Sequence, residues 1–359
     1  MKVTTENLLT GANMQSSTSA FRCAQPVTSP VLTPSGWQTM GDLRVGSLVT
    51  GSDGQPTQIV GVYPQGRQGT VRLTFDDQTT VECSLGQRWA VWEPACRRWP
   101  RYPIQRKVFN TQEIIDSRLR WHFPVVDWVE FEPCGILPVD SYTLGAMLGD
   151  GYFGSCLVLA GGEDKVEIRE RVAQALPDGY RASASEGHCI LAVNNGRPRI
   201  NELATEFRKL GLKGVLANDK FIPRMYLTAS IADRKALLQG LMDTDGTATK
   251  YSSAEFATGS GQLATDITEL VRSLGGLARI RKMIPYKGAK SPIYRVAVRT
   301  PFNPFHLPRK RERYEAKWKQ PFVRSMVKWA AAAVKESVSI EVGNSDGLYV
   351  TQDYIVTRT

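Results

Sequence analysis

Two stretches of this chain end apolar helices on acids, and no other feature narrows the fold as much. "LGAMLGDG" spans residues 144–151 and "LLQGLMDTDG" spans 237–246. The C-terminal end of a helix already holds the negative pole of the backbone dipole. An acid there is unfavourable by about 0.3–1 kcal/mol unless a cation answers it. Asp150 and Asp245, each followed by glycine, lie 95 residues apart (245 − 150). Gly145, Ala146 and Gly240 fall mid-helix, and small residues let two helix backbones cross closely. Such a crossing would bring Asp150 and Asp245 together at one end, where like charges raise each other's pKa. A divalent cation relieves both the repulsion and the dipole penalty, and hard oxygen ligands with room for water suit Mg²⁺. A single Asp-Gly reads equally well as a helix stop with glycine past the last turn. Two copies at repeat spacing, both ending in Asp rather than Lys, favour a paired site.

The 95-residue offset is also the length of a repeat. After the first stretch come short strands (152–160), a helical "EDKVEIRERVAQAL", strands around 179–193 and a helical "RINELATEFRKLGL". After the second come "TATKYSSAEFAT", the helical "QLATDITELVRSLGG", strands "ARIRKMI" and "YRVAVR", then the proline-broken "FNPFHLPRKRERYEAKWK". Each half therefore predicts helix, two strands, helix, two strands, helix: a pseudo-twofold domain over 135–320.

The flanks have another texture. Residues 30–92 carry turn signals "PSG", "SDG" and "PQG" between alternating runs such as "TVRLTF", which predicts a compact β unit. The tail "SIEVGNSDGLYVTQDYIVTRT" matches it, so an α/β domain is inserted into a β domain. The expected divisions are a polar extension (1–22), a first β part (23–96), a bridge (97–134), the repeat domain (135–320) and a second β part (321–359). The bridge opens "RRWPRYPIQRK", and it reads either as a solvated basic linker or as an arm on a phosphate backbone.

Composition bounds the partners. The net charge is +10 and the pI near 9.3, which favours polyanions, nucleic acid above all. No apolar run approaches the ~20 residues a membrane helix needs. The N-terminus lacks a secretory signal, and the six cysteines lack metal-type spacing. A monomer in a reducing cytoplasm is the expectation.

"LQGLMDTDG" resembles the nine-residue motif that names the LAGLIDADG homing endonucleases, and "TLGAMLGDG" resembles its common variant. The resemblance spans roughly 135–320. It implies an α+β domain of two αββαββα halves, a chain of bacterial or phage origin, and cleavage of double-stranded DNA at a long specific site. By position it makes Asp150 and Asp245 the metal-binding acids, with Gly149 and Thr244 beside them in the metal set. It also implies a basic residue per half. "DKFIP" supplies Lys220, at offset 70, and "EAKWKQP" supplies Lys317, at offset 72 from Asp245. Asp243, where the first copy has Leu148, is expected to be structural. The tracts "ARIRKMIPYKGAK" and "YRVAVR" offer Arg279, Arg281, Lys282, Lys287, Arg295 and Arg299 for DNA binding.

The β parts resemble the split halves of an intein splicing (Hint) domain, through "PVLTPSGWQTMGDLRVGS", "IVGVYPQG", "TFDDQTTVECS" and "GLYVTQDYIVT". Splicing needs a first-residue nucleophile, a helper histidine and a terminal His-Asn pair. Cys23 lies near the first position, but Gln87 stands where the helper histidine belongs, and Arg358 and Thr359 replace the final pair. Thr359 has no side-chain amide to cyclise. The three histidines are His122, His188 and His306, none of them within residues 30–92 or 336–359. The expectation is an endonuclease that keeps the β fold without splicing. The runner-up is a DNA-binding protein on the same fold that does not cut, repressor-like or maturase-like.

Overall fold

The computed structural model describes residues 23–92, 106–133, 135–154, 156–160, 165–177, 180–185, 188–193, 202–249, 254–284, 291–314 and 322–359. The chain opens with short strands: β1 (Gln25–Pro26), β2 (Pro30–Thr33), β3 (Gly36–Thr39) and β4 (Leu48–Thr50). β5 (Pro56–Phe75) is long, and β6 (Thr80–Ser84) and β7 (Arg88–Val91) follow it. No α-helix occurs among the described residues before Thr111, as the turn spacing predicts.

The bridge is the first departure from expectation. β8 (Lys107–Asn110) pairs antiparallel with β7, and α1 (Thr111–Ser117) starts on a capping box formed by Asn110 and Glu113. β9 (His122–Pro124) pairs with a strand of the C-terminal tail. Ile114, Trp121, Phe123, Val126 and Val129 are all buried. Within the bridge, residues 107–124 thus pair and pack with the β unit. The signal was present in "NTQE", an N-cap residue with Glu three places on.

The repeat follows as read. The first half is α2 (Ser141–Asp150), β10 (Gly151–Phe153), β11 (Leu157–Ala160), α3 (Val166–Gln174), β12 (Tyr180–Ser185), β13 (His188–Val193) and α4 (Glu202–Lys209). After the single-turn α5 (Arg224–Leu227) comes the second half. It is α6 (Ile231–Asp245), β14 (Gly246–Ala248), β15 (Ala254–Thr258), α7 (Gly261–Ser273), β16 (Leu277–Met283), β17 (Ile293–Arg299) and α8 (Pro308–Arg313). The sheets run β10-β11-β13-β12 and β14-β15-β17-β16, the same order in both halves. One hydrophobic core joins the halves, with Leu144, Met147, Leu237, Leu238, Leu241 and Met242 at its centre. The fold is α+β with more strands than helices.

The tail closes the β unit. β18 (Val323–Val342) pairs antiparallel with β5 from Met326↔Phe75 to Val342↔Ile59. β19 (Leu348–Thr351) and β20 (Ile355–Arg358) lie in a sheet ordered β3-β2-β19-β20-β7-β8. The inserted domain is fastened to this unit by Arg234, which is fully buried. Its guanidinium donates to Ala229 O (2.8 Å), Ser273 O (3.0 Å) and Val129 O, and stacks 4.9 Å from the Phe131 ring. Arg272 pairs with Asp353 of the tail at 2.7 Å.

Candidate active site

The two acid-ended helices α2 and α6 cross where the glycines predict. A Cβ on Gly145 would lie 2.2 Å from Leu237 O, and one on Gly240 would lie 2.2 Å from Tyr142 O. Each helix backbone therefore rests directly on the other, and the contact is reciprocal at the 95-residue offset. The Asp-Gly ends are not left-handed stops. Gly151 (φ −84°) and Gly246 (φ −81°) are extended and lead straight into β10 and β14. A Cβ on either would meet the carbonyl of Met147 or Met242 at 2.2 or 2.4 Å, so the sharp exit from helix to strand requires glycine.

This crossing brings Asp150 and Asp245 near enough for the charge of one to act on the other. Burial, then the neighbouring Asp150, push the Asp245 carboxyl up to about 6. Asp245 nonetheless keeps a solvent-facing surface.

The dipole penalty is answered by two lysines. Lys220 Nζ donates to Gly149 O (2.8 Å), Gly151 O (2.9 Å) and, more weakly, Met147 O (3.4 Å), all at the end of α2. Lys310 Nζ does the same for α6, donating to Gly246 O (2.6 Å), Asp243 O (2.7 Å), Met242 O (3.1 Å) and Thr244 O (3.2 Å). Three of the acceptor pairs, Met147/Met242, Gly149/Thr244 and Gly151/Gly246, obey the 95-residue offset. Burial lowers both ammonium groups to about 8, although nearby carboxylates resist the shift.

Lys310 is therefore the second-half counterpart of Lys220. The expected counterpart, Lys317, lies outside the described residues. The two offsets differ: Lys220 is 70 residues beyond its acid and Lys310 65 beyond Asp245. The element that shortens the path is α8, which has Lys310 in its first turn. Asp243 sets its start, with Oδ1 accepting from His306 N and Leu307 N at 3.0 Å each and Oδ2 from the Tyr142 hydroxyl at 2.8 Å. That is the structural role its motif position implied. In the first half Ser260 Oγ donates to Lys220 O (2.6 Å) and Asp266 Oδ2 accepts from Ile222 N (2.8 Å), which fixes the backbone around Lys220.

The donor set suits a hard dication at Asp150 and Asp245, two carboxyl groups brought together at one end of the crossing. The carbonyl oxygens of Gly149 and Thr244 each accept from one of the two ammonium groups. Sequence reading also missed Lys165, whose ammonium donates to Asp150 Oδ2. No group of three or more His, Cys, Asp or Glu side chains converges among the described residues.

The expected DNA contacts divide. Arg281 and Arg295 face each other across β16 and β17, both exposed, and Arg295 pairs with Glu255 at 2.6 Å. Lys282 alternates to the other face and lies 5.9 Å from the Tyr294 ring. Arg279 shares the Arg281 face, but its guanidinium reaches Gln78 of the β unit once that amide is turned. Arg299 is half-buried beside the Phe322 ring, at 5.7 Å. Lys287 lies outside the described residues. The alternation of β16 separates these cations, a distinction that a count of basic residues does not make.

The residues set against the splicing pattern also converge. Cys23 Sγ lies 3.7 Å from Arg358 O, and Gln87 Nε2 donates to Arg358 O (2.7 Å) and Thr357 Oγ1 (2.8 Å). Ser84 Oγ accepts from Ala24 N (3.1 Å), and Thr359 N donates to Gly347 O (2.9 Å). Burial raises the Cys23 thiol.

Two αββαββα halves meeting at acid-ended helices, set between the parts of a β unit, define a LAGLIDADG-type domain within an intein-type domain. Residues 232–301 match the model of the LAGLIDADG-like domain. The chain is 31% identical over 268 residues to the replicative DNA helicase DnaB of Mycobacterium intracellulare, a match covering 69% of this chain and 42% of that protein. It thus spans about two-fifths of that relative's length. Among solved structures it is similar to the Msm DnaB1 intein splicing domain bound with zinc, at 33% identity over 19% of this chain and 55% of that one (TM-score 0.19). It is also similar to the homing endonuclease I-DmoI in complex with DNA and Mn, at 11% identity over 45% of this chain and 89% of that one (TM-score 0.30).

Proposed function

We propose that this protein is a site-specific endonuclease that cuts both strands of double-stranded DNA with a divalent cation, Mg²⁺ in the cell, and that its β unit no longer splices. The observation that carries this reading is the convergence of Asp150 and Asp245 where α2 and α6 cross. Asp150 and Asp245 would hold the ion. When bound, it supplies the Lewis acidity that activates water and stabilises the departing 3′ oxygen. Lys220 and Lys310 hold fixed positive charge at the two helix ends, beside the place where phosphate charge grows in the transition state. Lys165 adds a third ammonium group to the centre. Arg281 and Arg295 on the open sheet face would position the duplex or read guanines in the major groove. Both halves belong to one chain, so a monomer suffices.

The splicing reading rests on chemistry. Gln87 presents an amide where an imidazole would move a proton. An intact mass of 39.8 kDa for the purified chain is the expected outcome.

The test is selection of cleaved sites from a randomised plasmid library in Mg²⁺, followed by cleavage of the selected site. Asp150→Asn and Asp245→Asn should each abolish double-strand cutting while DNA binding persists. Binding by the wild type without nicking in Mg²⁺ or Mn²⁺ would replace this reading with that of a non-cleaving DNA-binding protein.

A further inference from the structure

The centre departs from its own pseudo-twofold at one position. Fifteen residues beyond Asp150 stands Lys165, the residue preceding α3; fifteen beyond Asp245 stands Ser260, the residue preceding α7. In the second half this position does conventional work, with Ser260 Oγ accepting from Leu263 N (3.1 Å) to cap α7. In the first half no side-chain cap is made, and the same position sends an ammonium group to Asp150 Oδ2. The pair is sheltered, with side-chain exposures of 22% for Lys165 and 15% for Asp150. Lys165 is not committed elsewhere as Lys220 and Lys310 are, each with three or four carbonyl acceptors. An unmade cap at α3 accompanies its turn toward the acid.

We propose that Lys165 is an internal counter-cation of the carboxylate pair, which a divalent ion must displace from Asp150. It balances the two acids before metal arrives and makes the two halves of the centre unequal, since Asp245 has no ion pair of its own among the described residues. The inference rests on the reading of Asp150 and Asp245 as metal ligands and adds to it a positioning residue that sets ion affinity. Removing the ammonium leaves two carboxylates with less to oppose their repulsion, so a dication should gain what the lysine gave up. Coulomb attraction between charges at this range in a partly buried site is large enough to shift a dissociation constant by about tenfold.

The experiment is Mn²⁺ binding to the full chain without DNA, followed by electron paramagnetic resonance at pH 7.5. It compares the wild type, Lys165→Met, Lys165→Arg and the double variant D150N/D245N. Circular dichroism confirms the fold of each, and Lys165→Gln replaces Lys165→Met if the latter does not fold. The expected result is Mn²⁺ binding about tenfold tighter in Lys165→Met, within about twofold of wild type in Lys165→Arg, and lost in the double variant. Unchanged or weaker binding in Lys165→Met, with binding still lost in D150N/D245N, overturns the role of Lys165 and leaves the metal site standing. Binding that survives in D150N/D245N, or is absent from every protein, overturns the metal site and this inference with it.

Discussion

Gly240→Ala sets two known effects against each other. Alanine is a better helix former than glycine by about 1 kcal/mol, so in an isolated α6 the substitution stabilises. In the folded protein the new Cβ would stand 2.2 Å from Tyr142 O and 2.8 Å from Ala146 N. Both are backbone atoms of α2, and neither can swing aside as a side-chain tip would. Ordinary carbon–oxygen contact needs about 1 Å more, so α2 and α6 must part by roughly that distance across a fully buried seam. Overpacking against rigid neighbours costs about 1–3 kcal/mol and occasionally more. The net expectation is a loss of about 1–3 kcal/mol, read as a lower urea midpoint at unchanged slope. Function should suffer more than stability, because Asp150 and Asp245 sit on the two helices being pushed apart. A misplacement of about 1 Å in a catalytic constellation can cost on the order of 100-fold in rate. Gly145→Ala, which meets Leu237 O at 2.2 Å, should reproduce both effects. If either variant were as stable as wild type and cut DNA at the wild-type rate, the argument that backbone contact sets the acid–acid spacing would be wrong.

Four further outcomes follow from the same geometry. Lys220→Met and Lys310→Met should each slow cutting by on the order of 100-fold, with nicked circles accumulating, while Arg313→Met on the same helix as Lys310 leaves the rate within about threefold; an effect confined to Lys220 would mean that Lys310 only caps α6. In subsaturating Mg²⁺, kcat/KM should fall below about pH 6 as Asp245 takes a proton and above about pH 8 as Lys220 and Lys310 lose theirs, so a flat profile from pH 5 to 9 would contradict those environments. Without metal, raised Asp245 binds more protons folded than unfolded, so its stabilising contribution is complete below the ordinary carboxylate pKa and is lost as pH rises through about 6. Asp245→Asn should remove that slope and gain about 1 kcal/mol at pH 7 after allowance for its solvent-facing side, as thermal melts at pH 4 and pH 7 would show. Arg234→Met should cost about 3–5 kcal/mol in a denaturant titration, because the carbonyls of Val129, Ala229 and Ser273 lose their buried donor. A loss under 1 kcal/mol would show that the two domains are held mainly by other contacts.

Much of this protein is written locally. The acid-ended helices, their small mid-helix residues, the 95-residue repeat and the turn-punctuated β parts are all legible. Each depends on residues close in the chain, where backbone preference and burial periodicity act directly. The residue types at Gln87 and Arg358, set against the splicing pattern, are legible for the same reason, since the chemistry of a side chain is read directly from its letter. What only the tertiary structure decided concerns groups that arrive at one point from distant segments. Lys310 rather than a residue at equal offset caps α6, because Asp243 draws residues 306–307 onto the helix end and so fixes where α8 begins. Lys165 reaches Asp150 because α3 starts beside the crossing, and Arg279 and Arg299 turn toward Gln78 and Phe322 because a second domain packs there. A charge can be read from its letter, but its partner is set by loop lengths and by the packing of elements that no local pattern encodes.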